Sequence, residues 1–369
     1  MKKKTENAGS SGVAPWMWVA GGAVLLAGGG SIKANGVYDE VTNSMREANV
    51  RWVEVWGVQP NPVISKVDEA VGVAKREKAQ AILSVGGGSV LDSAKAAAAG
   101  FHMRRSWDAF EGTKEITKAL PVYAVLTLSA TGSEMNSFAV VTNAEEKKKW
   151  AIAAPVLFPK VSFLDPAAQA SLPWRQTACG AVDALSHIME YYSVGREQDT
   201  AISVNTALSG AVMRATDILK KDPGDYAARA NLAWAATMAL NGISGAMLDG
   251  GEWSVHMMEH AVSALHPTVA HAEGLGVLFP AWITYVNAAN PDTFRRWARE
   301  VWGASGTEKG VAKWSSKLRA WKMPVTLGDL GIKEKEIPAI AANALMKGPF
   351  GVLRKMQKKD VEAVLRLAL

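Results

Sequence analysis

The sequence predicts an α/β domain built on a Rossmann-like parallel sheet, followed by an all-α domain. Three observations carry this. Through the first 165 residues, short apolar runs alternate with amphipathic stretches, the rhythm of a mostly parallel sheet covered by helices. Glycine-rich turns follow several of those runs, where nucleotide folds hold their ligands. After Asp165-Pro166 the rhythm stops and long helical patterns take over. The boundary falls at 166, giving domains of 1–166 and 167–369, and a chain of 369 residues is long enough for two cores.

The elements follow in order. "AVLLA" (23–27) reads as a buried strand entering a glycine turn. In "VYDEVTNSM" (37–45), Val37, Val41 and Met45 recur at helical spacing. "VRWVEVW" (50–56) has the Val and Trp content of a strand, and 63–79 is helical again. "AILSV" (81–85) is a strand that runs into "GGGSVLDSAKAAAAG", a turn opening an alanine-rich helix. "VYAVLTL" (122–128) and "VSFLD" (161–165) complete the strands. Beyond them the patterns predict helices around 176–193, 199–220, 225–249, 252–265, 272–287 and 293–302, with further helices and Gly/Pro breaks over 308–369.

Composition narrows the function classes. The chain is 49% hydrophobic and 21% charged, ordinary for a soluble globular protein. Its net charge of +6 is scattered. The densest cluster, "EEKKKW" (145–150), is not the basic stripe with interleaved aromatics that nucleic acid requires. Cys179 is the only cysteine, so no disulfide forms within the chain, and a reducing, cytoplasmic setting is expected. No apolar run reaches the ~18 residues of a membrane span. Residues 1–22 are an atypical start: a basic end, a small-residue run at 7–12 and an apolar stretch interrupted by Gly21 and Gly22. They imitate a signal peptide only loosely.

Four of the six histidines, His256, His260, His266 and His271, fall within 16 residues. Asp183 and His187 lie four apart on a predicted helix and share a face, as do His256 and His260. A lone histidine on an apolar face is ordinarily a packed residue. This clustering, with an aspartate paired to a histidine, points instead to a divalent metal held by nitrogen and oxygen ligands, Fe(II) or Zn(II). Spacing does not choose among the four histidines.

The glycine loops point to a nucleotide. "VGGGSVLDSAK" (85–95) lies between a strand and a helix, where backbone N–H groups and the helix N-terminus favour a phosphate. Gly87, Gly88, Ser89 and Asp92 are the cofactor-binding candidates there, with helix capping the alternative role of Asp92 in the first turn. "AGGGSIK" (27–33) occupies the place where an acidic residue selects NAD. It holds Gly28, Gly29, Gly30 and Ser31, with Lys33 beyond and no carboxylate, which favours NADP. A third loop, "TLSATGSEMN" (127–136), carries a dense polar set after a strand, and Lys149 follows.

Taken together, these segments resemble the iron-containing (group III) alcohol dehydrogenases over roughly 24–369. The residues that carry the likeness are "GGGSVLDSAK", "TLSATGSEMN", "AVDALSHIMEYY" and "HMMEHAVSALHPTVAHAEGLGVLFPAW". "GGGSIKANGVYDEV" and "GVQPNP" are most similar to the NADPH-dependent aldehyde reductase and butanol dehydrogenase branch. The resemblance implies a dehydroquinate synthase-like architecture, with metal and substrate in a cleft between the domains, and a homodimer. It implies metal ligation by Asp183, His187, His256 and His271, with His260 near substrate and nicotinamide as a proton relay. It implies cofactor contacts from Gly87, Gly88, Ser89, Thr127 and Lys149, and Gly29 stands where NAD-preferring relatives often carry Asp. Two departures are noted. The opening strand and "F-G-x-G" segment of relatives is missing or replaced by residues 1–22. The "HPTVAH" loop is one residue longer than in some relatives, with His271 still expected to reach.

The expected reaction is hydride transfer between NADP(H) and a small aldehyde or primary alcohol, the metal acting as Lewis acid. Rival readings are an NAD-using polyol dehydrogenase of the glycerol type, an inactive metal- or nucleotide-binding relative, and a dehydroquinate synthase-type lyase. The lyase needs more cations around its metal to hold an anionic substrate.

Overall fold

The computed structural model describes residues 22–369. The readings made of residues 1–21 lie outside them. Five strands form a parallel sheet: β1 (Ala23–Ala27), β2 (Trp52–Val55), β3 (Ala81–Gly86), β4 (Val122–Leu126) and β7 (Val161–Phe163). Their order is β2-β1-β3-β4-β7. From β1 the chain runs outward to β2 on one side, and β3 returns on the other. The crevice outside the carboxyl ends of β1 and β3 is therefore the switch point at which open α/β sheets bind ligands. The helices here are α1 (Ser31–Ala34), α2 (Val37–Glu47), α3 (Ile64–Arg76), α4 (Gly88–Gly100) and α5 (Asp108–Glu111). Val24, Leu26 and Ile82 pack against α3 and α4 on one face, while Leu25, Ala27 and Val85 pack against α1 and α2 on the other.

Sequence periodicity missed a two-stranded hairpin. β5 (Phe138–Asn143) and β6 (Lys148–Ala153) form an antiparallel hairpin beside the main sheet. Its second strand begins inside the charged run that reads as solvated. Lys147 makes the turn in left-handed backbone, φ 54°, and Lys149 is turned inward.

After β7 only helices follow: α6 (Trp174–Tyr192), α7 (Asp199–Lys221), α8 (Tyr226–Ala239), α9 (Ser254–Leu265), α10 (His271–Val286), α11 (Pro291–Glu300), α12 (Thr307–Ala320), α13 (Ile337–Ala344) and α14 (Lys358–Leu367). α10 packs against α6, α9, α12 and α14. Its Phe279 and Trp282, with Phe294 and Trp321, are among the largest buried side chains. The helix expected over 225–249 stops ten residues early. Leu240, at φ −141°, leaves helical backbone, and Gly242 at φ 105° carries the turn that follows, a conformation glycine adopts at little cost. Among the described residues no helix is long and apolar enough to cross a membrane.

Candidate metal centre

Asp183 and His187 lie one turn apart on α6, buried against the core. α9 presents His256 and His260, and α10 begins at His271. Asp183 Oδ1 is 3.8 Å from His187 Nε2 and 3.8 Å from His271 Nε2. The His187 and His256 rings stack with centroids 5.0 Å apart, and the His256 and His271 rings are 5.5 Å apart. Donor atoms of Asp183, His187 and His256 all lie within 4.8 Å of one another. Separations of 3.8 Å are too long for hydrogen bonds. They suit a shared cation, since ligand atoms about 2.1 Å from one ion stand roughly 3.4–3.8 Å apart.

Burial gives a second test of fit. Asp183 Oδ1 and His256 Nε2 are buried without a hydrogen-bond partner. Each such atom costs about 1–3 kcal/mol, so two facing one place mark a site shaped for an ion. Burial pushes the His187 imidazole down to about 3. It lowers His271 as well, keeping both rings in the neutral form that binds metal.

Two glutamates that the sequence reading passed over orient the rings. Glu190 Oε1 lies 2.7 Å from His256 Nδ1 and also accepts from the His256 backbone N–H at 3.2 Å. This leaves Nε2 facing inward. Glu259 Oε2 contacts His271 Nδ1 and accepts from Lys149 Nζ at 3.2 Å, while Oε1 accepts from Ser263 Oγ. Glu259, His260 and His271 also form a compact triad, but both Glu259 oxygens are already taken. Burial raises the Glu259 carboxyl, yet His271 and Lys149 outweigh it and hold it below its ordinary range. Such carboxylates fix the tautomer of a ligating histidine. Their signal was present: Asp183, His187 and Glu190 stand at i, i+4 and i+7 on α6, one continuous face. Arg175 clasps Glu273 through Nε (2.6 Å) and Nη2 (2.7 Å), tying the first turn of α10 to α6.

His260 sits at the edge of the set, its ring 5.4 Å from that of His271, and burial lowers it well below the usual imidazole range. His266 ends α9, and its Nε2 lies 3.3 Å from Glu336 Oε1, outside the set. Lys149 also donates to Asn61 Oδ1 (3.0 Å), and Asn61 Nδ2 donates to the carbonyls of Pro267 (3.2 Å) and Val269 (3.0 Å). The sheet half and the helical half thus meet over the metal set.

The loops gather at the switch point. Gly87 caps α4, and Gly88 and Ser89 form its first turn at the end of β3. Here glycine is also a packing requirement: a Cβ on Gly88 would stand 2.5 Å from the Thr131 side chain. Asp92 does not cap the helix. Its Oδ1 accepts from Ser133 Oγ (2.7 Å) and its Oδ2 from the Val140 N–H (3.0 Å), fastening α4 to β5. The 127–136 loop is likewise spent internally. Lys95, fully buried and pushed down to about 8 by burial, donates to the Asn136 carbonyl (2.8 Å), Asn136 Oδ1 (3.1 Å) and the Phe138 carbonyl (2.9 Å). Thr127 is buried at the end of β4, its N–H donating to the Gly86 carbonyl. Gly29 has open space around it, Gly30 adopts φ 103°, and Ser31 opens α1. Lys33 Nζ lies 4.1 Å from the Trp56 ring centroid and 5.0 Å from that of Tyr38. A carboxylate is nearby after all: Glu54 on β2 accepts from Tyr38 Oη (2.6 Å), Trp52 Nε1 (3.0 Å) and Trp56 Nε1 (2.7 Å).

Family comparison agrees with this arrangement. Residues 17–166 match the profile "Iron-containing alcohol dehydrogenase", and residues 177–369 match "Fe-containing alcohol dehydrogenase family, C-terminal". The chain belongs to the iron-containing alcohol dehydrogenase family. Its reaction class is oxidoreduction at a CH–OH group. Probable NADH-dependent butanol dehydrogenase 1 of Bacillus subtilis is 36% identical over 94% of this chain and 92% of its own length. The NADPH-dependent aldehyde reductase YqhD of Escherichia coli is 35% identical over 86% of this chain and 84% of its own. Among solved structures, NADH-dependent butanol dehydrogenase A from Thermotoga maritima superposes with a TM-score of 0.92 at 46% identity, covering 94% of this chain and 91% of that one. The iron-containing alcohol dehydrogenase fold of a parallel-sheet half and a helical half is therefore shared along nearly the whole chain.

Proposed function

We propose that this chain transfers hydride between NADP(H), in preference to NAD(H), and a small aldehyde or primary alcohol, using one divalent metal, Fe(II) or Zn(II). The observation that carries the reading is the clustered set of Asp183, His187, His256 and His271, with unpaired buried donor atoms on Asp183 and His256. These four residues would hold the metal. When bound, the metal supplies Lewis acidity toward a carbonyl oxygen, and the nicotinamide supplies or accepts hydride. With a single carboxylate among the four ligands, a bound divalent ion would keep a net positive charge, favouring a developing alkoxide. Glu190 and Glu259 keep the His256 and His271 protons on Nδ1. His260, neutral at the edge of the set, would take or return the proton at the substrate oxygen. Gly87, Gly88 and Ser89 would cradle the pyrophosphate at the α4 N-terminus, with Asp92 holding that turn in place and Thr127 and Lys149 lining the cleft.

The preference for NADP(H) rests on Gly29, Gly30 and Ser31, which leave room for a 2′-phosphate, with Lys33 beyond. A second reading, NAD(H), is favoured by Glu54 beside Lys33 and by the NADH dependence named for several relatives. The deciding assay is butanal reduction by protein stripped of metal and reloaded with Fe(II) or Zn(II), with NADPH and NADH in parallel. Metal-dependent turnover faster with NADPH is expected, reversing in Gly29→Asp. Faster NADH turnover in the unmodified chain would overturn the preference, and no turnover with either metal would overturn the activity. The reading includes a homodimer, checked by light scattering, and a cytoplasmic setting, supported by the single cysteine.

A further inference from the structure

Trp253 is the least comfortable residue near the metal set. It sits at φ 60° immediately before α9, a backbone position that a bulky side chain occupies only when its surroundings hold it there. The surroundings do so. The Trp253 ring meets that of His256 edge-on at 5.2 Å, Tyr191 edge-on at 5.4 Å and His187 at 6.5 Å. The glycine-rich segment after α8 closes around the same rings. A Cβ on Gly245 would stand 2.5 Å from Tyr191 Cε1, and one on Gly251 would stand 2.8 Å from Trp253 Nε1. Glu252 pins the other side. Its Oε2 accepts from the backbone N–H groups of Val352 (2.8 Å) and Leu353 (2.7 Å). The strain is thus built into two glycine contacts and a buried carboxylate.

Chain order and the ring contacts place the indole. Trp253 stands just before the first turn of α9, three residues before His256, and His260 lies one turn further along the helix. The two therefore stand toward opposite ends of α9 from His256. If His260 attends the hydride and proton side, the opposite flank is where the rest of the substrate must go. That flank presents the rings of Trp253 and Tyr191, while the carboxylates beside it, Glu252 and Glu190, are engaged by the Val352 and Leu353 N–H groups and by His256.

The geometry points to Trp253 as a specificity-determining residue: its indole, backed by Tyr191, walls the metal set on the side away from His260 and restricts the substrate to unbranched aliphatic aldehydes and alcohols. This rests on the reading of the chain as an aldehyde reductase. A flat indole face accepts a linear alkyl chain along it, whereas a branch next to the carbonyl carbon would collide with the ring or displace it against the strained backbone.

The test compares butanal with 2-ethylbutanal as substrates of metal-reloaded protein, in the unmodified chain, Trp253→Gly and Trp253→Phe. Glycine relaxes the left-handed position, and phenylalanine keeps an aromatic ring. Metal content is measured for each, and butanamide and 2-ethylbutanamide, which are not reduced, are titrated by calorimetry. The unmodified chain is expected to favour the linear aldehyde in kcat/KM by at least about tenfold, a difference of roughly 1.4 kcal/mol. Trp253→Gly should lose most of that selectivity while retaining metal, and Trp253→Phe should keep part of it. The amides should show the same order in binding. Unchanged selectivity in Trp253→Gly would overturn the proposal. So would loss of metal from both variants, because the indole would then serve to hold His256. If the unmodified chain reduces neither aldehyde, the reductase reading fails, and the amides still report on the wall.

Discussion

Two imidazoles of the proposed metal set are backed by carboxylates, Glu190 behind His256 and Glu259 behind His271. Glu190→Gln and Glu259→Gln should therefore keep the fold and weaken metal binding by about 10–100-fold, measured by competition with a chelator. An unchanged affinity in both would show that the rings are held by packing alone. The same neighbourhood makes Cys179 inert. Burial, with Glu273 nearby, pushes its thiol up to about 12, so little thiolate exists at neutral pH. Maleimide at pH 7.5 should label it only after denaturation, as mass spectrometry would show. At this scale the Asp183–His187 and His256–His260 pairs were legible because helical spacing puts i and i+4 on one face. The choice among the later histidines was not, because it depends on α9 ending at Leu265, which turns His266 toward Glu336.

Whole elements carry these residues, and their fit is close. Gly180 on α6 packs against the 127–136 loop so tightly that a Cβ would stand 2.3 Å from the Ser129 carbonyl oxygen. Gly180→Ala must move α6, and with it Asp183 and His187. It should cost about 1–3 kcal/mol and weaken metal binding as well, read by thermal unfolding and chelator competition. At the far end of the helical half, Asp360 fastens α14. It accepts from Tyr285 Oη (2.7 Å), Arg354 Nη2 (2.8 Å) and the Gln357 N–H (2.9 Å). Burial raises its carboxyl, but these donors outweigh it and hold the group below its ordinary range. A depressed carboxylate stabilises the fold above its unfolded pKa, near 3.9, and loses that contribution as pH falls through the folded value. Asp360→Asn should be less stable by about 1–2 kcal/mol at pH 7, and the gap should narrow as pH drops from 5 to 3. A gap independent of pH would assign the effect to geometry rather than charge. The main strands were legible from their apolar runs. The β5–β6 hairpin was not, because its inner face holds Lys149, whose partners come from α9 and the loop after β2.

For the molecule as a whole, the proposed metal set makes the ion part of the folded state. Saturating Fe(II) or Zn(II) at about 100 times Kd should add roughly 2.7 kcal/mol, visible as a raised Tm that Asp183→Ala abolishes. An equal shift in that variant would place the ion elsewhere. The two-part plan was legible from the change of rhythm after Asp165, since strand and helix periodicities are local. The way the halves meet was not, because Asn61, Lys149 and Val269 come together only in three dimensions.

That meeting has a thermodynamic corollary. Lys149 is anchored in the sheet half, yet the carboxylate it pairs with, Glu259, sets the angle of His271 in the helical half. Widening the cleft would separate this pair and release the ring. A nucleotide that drew the halves together would thereby tighten the grip on the ion. By reciprocity the ion would strengthen nucleotide binding by the same factor, so the proposed reading makes the two cofactors one cooperative unit.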